Sequence, residues 1–339
     1  MYKLESKLFI DNKNNLPIID VRSPKEFTEG HIPGAISMPL FDNDERAVVG
    51  TLYKQKGRRE AILKGLEYVG PKMADFSKKA LALSIDNKVR VHCWRGGMRS
   101  ESMAWLFERV GLEVELLIGG YKAYRQFCTS QMEQLDSLVI LKGCTGSGKT
   151  EILQELQKRG EQVIDLEGLA NHRGSAFGGI GQKEQPTTQQ FQNLLYEKLA
   201  PLDKNKPIWV EGESKSIGRV YIPDTFMESM CNAKIIEISV PFEERVKRLV
   251  IDYAQLDATE MEHAIMKLEK RISNERMNEI LKIYRNKDYE TTASLLLSYY
   301  DSTYRFSDKN YNKNINIVVS QTGDTIANTQ LLIKKLYSE

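Results

Sequence analysis

Eight residues constrain this chain more than any others: Gly143-Cys144-Thr145-Gly146-Ser147-Gly148-Lys149-Thr150. They match G-x-x-x-x-G-K-[ST], and both flanks suit the pattern. The apolar run Leu138–Leu141 reads as a strand before it, and Ile152, Leu153 and Leu156 give the segment after it the apolar face of a helix. A glycine-rich loop between a strand end and a helix start turns its backbone N–H groups inward, towards an anion at the positive end of the helix. Gly143, Thr145, Gly146, Ser147 and Gly148 would line a cradle for a di- or triphosphate. Lys149 would neutralise the terminal charge and Thr150 would hold Mg²⁺. Cys144, inside the loop, reads as a space-filler.

The strand–helix alternation that the loop requires continues to the end of the chain. Strands are expected over Gln162–Leu166, Pro207–Val210, Ala233–Val240 and Ile315–Ser320, with helices over Thr150–Lys158, Thr188–Leu199 and Phe242–Tyr253. Such alternation predicts a parallel-sheet α/β domain. The segment from about 256 to 306 has no strand signal and is expected as a helical insertion before the last strand. Carboxylates follow two strands, Asp165 and Glu167 after one and Glu211 and Glu213 after another. Either pair could bind a metal ion or a water, and the sequence does not separate them. Arg173, Lys215 and Arg219 are candidate phosphate or RNA contacts. The long glycine-rich loop from Asn171 to Gln182 is of the kind that closes over ligands.

The first 128 residues show a second α/β pattern. Strands are expected within Leu16–Val21 and over Lys88–His92, with helices at Pro24–Thr28, Asp75–Leu83 and Ser100–Val110, Ser100 serving as N-cap and Gly111 as stop. The polar stretch Thr129–Asp136 reads as a linker, dividing the chain into domains 1–128 and 137–339. With 339 residues, 41% of them hydrophobic and 28% charged, two ordinary globular domains are the natural reading.

Cys93 stands where the strand Lys88–His92 ends, in the loop Cys93-Trp94-Arg95-Gly96-Gly97-Met98-Arg99. The two glycines let the backbone curl so that its N–H groups, the start of the next helix and Arg99 converge on one point. These surroundings stabilise an anion and favour the thiolate of Cys93, a nucleophile. His92 reads as a packing residue at the strand end or a group that tunes Cys93, and His31 as a turn residue. None of the four cysteines forms a C-x-x-C pair, which argues against a zinc site. The opening fifteen residues are too polar for a signal peptide, and no apolar run is long enough to span a bilayer, so a cytoplasmic location is expected. A net charge of +2 does not announce a nucleic-acid binder, so RNA contact would need local clusters. Lys54, Lys56, Arg58 and Arg59 form one. The stretch from Lys267 to Lys287, with Lys270, Arg271, Arg276, Lys282 and Arg285, forms another, interspersed with glutamates.

Several segments carry family resemblances. Asp20-Val21-Arg22, Gly30-His31-Ile32-Pro33-Gly34-Ala35 and Gly119-Gly120-Tyr121 resemble the opening and closing segments of rhodanese domains, over about residues 5–127. Cys93 falls where that family keeps its persulfide-forming cysteine. Five residues separate Cys93 from Arg99, one more than in common sulfurtransferases, a length that resembles the rhodanese-related phosphatases. A rhodanese-like domain joined to a P-loop domain resembles the tRNA 2-selenouridine synthase family. So do Phe41 to Arg46, Val49 to Lys54, Asn171 to Gly178 and Trp209 to Ser214. The resemblance implies a transferase acting on tRNA. It would replace the sulfur of wobble 2-thiouridine by selenium through an S-geranyl intermediate, with geranyl diphosphate and selenophosphate as co-substrates. The residues themselves leave two alternatives open: a P-loop ATPase or kinase with a sensory rhodanese domain, and a cysteine phosphatase, although the loop offers no obvious general acid.

Overall fold

The computed structural model describes residues 1–11, 15–174, 177–255, 257–270, 272–307 and 315–338. It divides into two compact units, Met1–Gln131 and Met132–Glu339.

In the first unit the apolar alternation of Lys88–His92 becomes the middle strand of a parallel sheet. Its strands are β1 (Tyr2–Leu4), β2 (Ile18–Asp20), β3 (Ile36–Ser37), β4 (Lys88–His92) and β5 (Glu113–Leu117), in the order β1-β5-β4-β2-β3. A parallel strand covered on both faces reads as a nearly unbroken buried run, and Val89 to His92 are all buried. The helix Met98–Arg109 lays Met103, Ala104 and Phe107 against Val89, Val91 and Val114 in the core. Apolar period marks no element over residues 43–69, where the chain forms two helices, Asn43–Gln55 and Arg58–Val69. The first opens with a capping box: Asp42 accepts from Glu45 N at 2.8 Å while Glu45 accepts from Asp42 N at 3.0 Å. Gly57, at φ +91°, makes the turn between them.

In the second unit the strands are β6 (Leu138–Lys142), β7 (Gln162–Ile164), β8 (Ile208–Glu211), the hairpin pair β9 (Ser216–Ile217) and β10 (Val220–Tyr221), β11 (Lys234–Ser239) and β12 (Ile315–Val319). The main sheet is parallel, in the order β12-β11-β6-β8-β7, so the P-loop strand β6 is central and β8 lies directly beside it. Between β11 and β12 the expected helical insertion forms as Ala258–Met266, Asn274–Arg285 and Tyr289–Ser307. It has its own apolar core, in which Ile265, Ile280 and Leu296 meet Val246 and Leu249 of the helix Phe242–Gln255 and Phe177 and Ile180 of the glycine-rich loop.

Several expected boundaries move, three of them for a visible reason. The strand predicted to reach Leu166 stops at Ile164, because Asp165 caps a short helix, Leu166–Ala170, by accepting from Gly168 N at 2.6 Å. The helix expected to start at Ser100 starts at Met98, with Gly97 as N-cap. The expected linker is pinned: Thr129 and Ser130 finish the helix Gly120–Ser130, while Met132 and Leu135 are buried, Leu135 N donating to Ser229 Oγ at 3.2 Å.

Candidate functional site

The first candidate site is built where β4 ends. Cys93 is 3% exposed, and the helix start Gly119-Gly120 closes over its loop. Tyr121 N donates to the Cys93 carbonyl at 2.8 Å and Lys122 N to that of Trp94 at 3.0 Å, so free N–H groups of the helix Gly120–Ser130 tie down the loop. The approach demands glycine. A Cβ on Gly120, at φ +61°, would stand 2.4 Å from the Cys93 carbonyl and 2.5 Å from Gly96 N. Gly120→Ala is therefore expected to cost at least about 1–3 kcal/mol for the left-handed backbone, with the overlap added. Denaturant unfolding should show the loss, and a midpoint equal to wild type would contradict the packing.

Ser100 is not the cap that its sequence position suggests. It is fully buried in the first turn of the helix, and its Oγ lies 3.2 Å from Cys93 Sγ and 3.1 Å from Gly97 O. The Cys93 thiol faces the same carbonyl at 3.9 Å. With a neutral thiol, both hydroxyl and thiol protons can point at Gly97 O. With a thiolate, the Ser100 proton turns to sulfur, a charge-assisted hydrogen bond.

Arg99 is expected at the loop anion. Here it makes a bidentate ion pair with Glu26, Nη1 to Oε2 at 2.6 Å and Nη2 to Oε1 at 3.1 Å. Burial works against the Glu26 carboxylate, but Arg99 dominates and holds it at about 2. Glu26 is therefore ionised at any working pH and cannot act as a general acid at this loop. Trp94 sits half-buried against Tyr121, and Arg95 and Met98 are exposed.

Beneath the loop lies a charged core. Asp20 and Arg22 are fully buried and joined at 2.6 Å, and Arg22 also donates to Gly30 O at 2.7 Å. The Arg22 guanidinium stacks 3.9 Å from the Tyr121 ring centroid. Burial opposes ionisation of Asp20, but the hydrogen bonds and charge of Arg22 hold its carboxyl below the usual range. His92, fully buried 3.6 Å from Asp20, is kept neutral by desolvation, which fits the packing role. His31 stacks on Phe27 and bonds Phe27 O at 3.0 Å, a turn residue as expected.

The second candidate site is the P-loop. Gly146 and Gly148 take φ near +80°, and Gly148 caps the helix Lys149–Lys158. Lys149 Nζ donates to Gly143 O at 3.0 Å across the loop, and Ser147 is buried. Burial pushes the half-buried Cys144 thiol up, consistent with a space-filler.

The four carboxylates sort across the two expected pairs. Thr150 Oγ1 donates to Glu167 Oε2 at 3.3 Å, and a Cβ on Gly174 would lie 2.6 Å from Glu167 Oε1 and 2.8 Å from Glu213 Oε1. Glu167 thus stands beside Thr150, with Glu213 next to Glu167. Asp165 and Glu211 are structural: Asp165 caps its helix, and Glu211, fully buried, accepts from Leu166 N at 2.9 Å. Burial first, then the charge of Asp165, pushes Glu211 well above the carboxylate range. Burial first, then the charge of Glu167, pushes Glu213 to about 8.

The native state therefore binds a proton at Glu213 that the unfolded chain releases between roughly pH 4.5 and 8, so this residue erodes stability as pH rises through that window. Glu213→Gln is expected to melt higher than wild type at pH 8 and to lose that advantage by pH 4.5. A difference independent of pH would contradict the raised value.

Other expected contacts are placed less centrally. Lys215 is ion-paired with Asp224, and Arg173 and Arg219 are exposed. Lys54, Lys56, Arg58 and Arg59 are exposed and have no ion-pair partner among the described residues. In the insertion, Arg285 is paired with Glu262, while Arg271 and the side chain of Lys270 lie outside the described residues.

Two arginines at the P-loop escaped the sequence reading. Arg245 Nη1 donates to Thr145 O at 3.2 Å, and the same guanidinium holds Asp301 of the insertion at 2.9 and 2.7 Å. Arg248 pairs with Glu151 at 3.0 Å, and its guanidinium lies 2.7 Å from where a Gly148 Cβ would stand. The signal was the spacing Arg245-x-x-Arg248 at the start of a helix following a strand.

A cysteine loop and a phosphate loop, each on a parallel α/β sheet, define a two-domain protein with one rhodanese-like and one P-loop unit. The rhodanese-like domain model matches residues 5–127, and the model described as the tRNA 2-selenouridine synthase AAA domain matches 136–331. A tRNA 2-selenouridine synthase of Sulfurovum is 33% identical over 86% of this chain and 89% of its own length. One of Nitrosomonas eutropha is 40% identical over 70% of this chain, an alignment that spans 63% of that relative. The N-terminal domain of a putative ATP/GTP binding protein from Clostridium difficile is 44% identical, with a TM-score of 0.35, covering 37% of this chain and 96% of that one. The chain belongs to the tRNA 2-selenouridine synthase family. No helix among the described residues is long and apolar enough to cross a membrane.

Proposed function

We propose that this protein is a cytoplasmic transferase that replaces the sulfur of wobble 2-thiouridine in tRNA by selenium. The observation that carries the reading is the coexistence of two glycine-containing loops at strand-to-helix turns, one with Cys93 beside Ser100 and one, Gly143 to Thr150, with the sequence of a phosphate-binding loop. Family membership supplies the substrate class.

In the first stage the P-loop would hold geranyl diphosphate. The thiouridine sulfur attacks the first carbon of the geranyl chain, the carbon–oxygen bond breaks, diphosphate leaves and the N3 proton of the base passes to solvent. Lys149 is the group that meets the charge gathering on that leaving group. Glu167, Glu213 and the Thr150 hydroxyl suit Mg²⁺, which binds through one or two carboxylates and completes its shell with water and phosphate oxygens. The ion would neutralise the diphosphate.

In the second stage the Cys93 loop would hold selenophosphate, whose phosphate-like group suits the five-residue span to Arg99. Selenium bonds to C2 of the uracil, the C2–S bond breaks and geranylthiol leaves, while water takes the phosphorus to inorganic phosphate. Cys93 engages the donor. Lys54, Lys56, Arg58 and Arg59, exposed and without ion-pair partners among the described residues, are suited to tRNA phosphates.

Mass spectrometry of tRNA nucleosides from selenium-fed cells lacking the gene tests the reading. Loss of 2-selenouridine is expected, and an unchanged nucleoside profile would overturn it.

A further inference from the structure

The helix Met98–Arg109 has an outer face that neither loop uses. Met98, Ser102, Trp105 and Arg109 follow one another at spacings of three or four, which places them along one side, and Arg95 stands in the loop just before the helix. All five are exposed, Trp105 by 50%. The inner face already fills the core, so packing does not account for a tryptophan turned outward.

The charges along this stripe are sorted. The Arg109 guanidinium lies 5.6 Å from the Trp105 ring centroid, and neither Arg109 nor Arg95 has an ion-pair partner among the described residues. The neighbouring acids are neutralised, Glu101 by Lys3 at 3.0 Å and Glu108 by the amino group of Met1. What remains is cationic at both ends and aromatic between them. It begins in the Cys93 loop, and at 1.5 Å per residue Met98 to Arg109 spans about 16 Å, the length of a few nucleotides.

Unpaired arginines select a polyanion, and an exposed indole offers a stacking platform for a base that is not already stacked in a duplex. We propose that this stripe is the docking track for an unpaired RNA loop segment. One base stacks on Trp105, phosphates lie against Arg109 and Arg95, and the nucleotide beyond is delivered to Cys93. The inference rests on the tRNA reading and adds to it the surface that presents the loop.

The test compares wild type, Trp105→Ala and Trp105→Phe, using an anticodon stem-loop RNA in fluorescence anisotropy and full tRNA in steady-state kinetics. Trp105→Ala is expected to weaken RNA binding by about tenfold. It should raise KM for tRNA similarly and leave kcat within about twofold. Trp105→Phe, which keeps an aromatic face, should recover most of the binding. Wild-type affinity in Trp105→Ala, with wild type binding RNA, would overturn this inference alone. Wild type that binds no RNA would overturn the tRNA reading with it. A change in self-association of the free chain on Trp105→Ala, with RNA affinity intact, would show that the stripe serves a second copy and overturn the proposal.

Discussion

Cys93→Ala is expected to reduce selenium incorporation into tRNA to background, a loss of roughly a thousandfold or more, while the protein stays folded. The sulfur is the only nucleophilic side chain that the loop presents, and no neighbour can take over its role. Ser100, the nearest hydroxyl, is fixed by Gly97 O, and Glu26 is locked in its ion pair with Arg99. The structural cost is small. Alanine removes one atom from a buried site and leaves the Ser100 hydroxyl its carbonyl acceptor, so the melting temperature should fall by only a few degrees. Residual turnover near wild type would assign the loop a sensory role. Nucleotide hydrolysis indifferent to Cys93→Ala would support a P-loop ATPase or kinase instead.

Arg22→Ala is expected to destabilise the fold by about 3–5 kcal/mol, because it strands a fully buried carboxylate. Asp20 would keep only the backbone N–H of residue 22, at 3.0 Å, and His92, 3.6 Å away and held neutral, and Gly30 O would lose the Arg22 donor. The sign of the pH dependence follows from the lowered Asp20 carboxyl. Its stabilising contribution is complete above the ordinary aspartate range and is lost as the pH falls through the depressed native value, so the deficit of Arg22→Ala should shrink in acid. Chemical denaturation at pH 7 and pH 3 would measure this. The double replacement Asp20→Asn with Arg22→Met should recover much of the loss, since it leaves no unpaired charge. An Arg22→Ala variant as stable as wild type would mean the pair does not support the Cys93 loop.

What the sequence made legible was the backbone around both loops. β4, the P-loop flanks, the helix Thr188–Leu199 and the insertion before β12 follow from apolar period and glycine placement, signals local to each segment. The helices spanning 43–69 were not seen, because their apolar residues do not mark one buried face: Tyr53, Leu63 and Leu66 stay exposed. The site was legible in its loops but not in its partners. Local sequence cannot tell that Arg99 faces Glu26, 73 residues away, or that Arg245 bridges the P-loop and the insertion. Neighbours in sequence group the carboxylates by strand end, whereas the fold pairs each one with a carboxylate from the other strand end. Asp165 and Glu211 secure the helix after β7, while Glu167, two residues after Asp165, reaches Thr150, and Glu213, two residues after Glu211, stands beside Glu167.

The most direct test of the two-loop account follows nucleosides over time in a reaction of the purified full chain with 2-thiouridine tRNA, geranyl diphosphate, Mg²⁺ and selenophosphate. Mass spectrometry should find S-geranyl-2-thiouridine rising first and 2-selenouridine replacing it, and with Cys93→Ala the geranylated nucleoside should accumulate and persist. Unmodified 2-thiouridine at every time point, or 2-selenouridine formed at the wild-type rate by Cys93→Ala, would contradict the account.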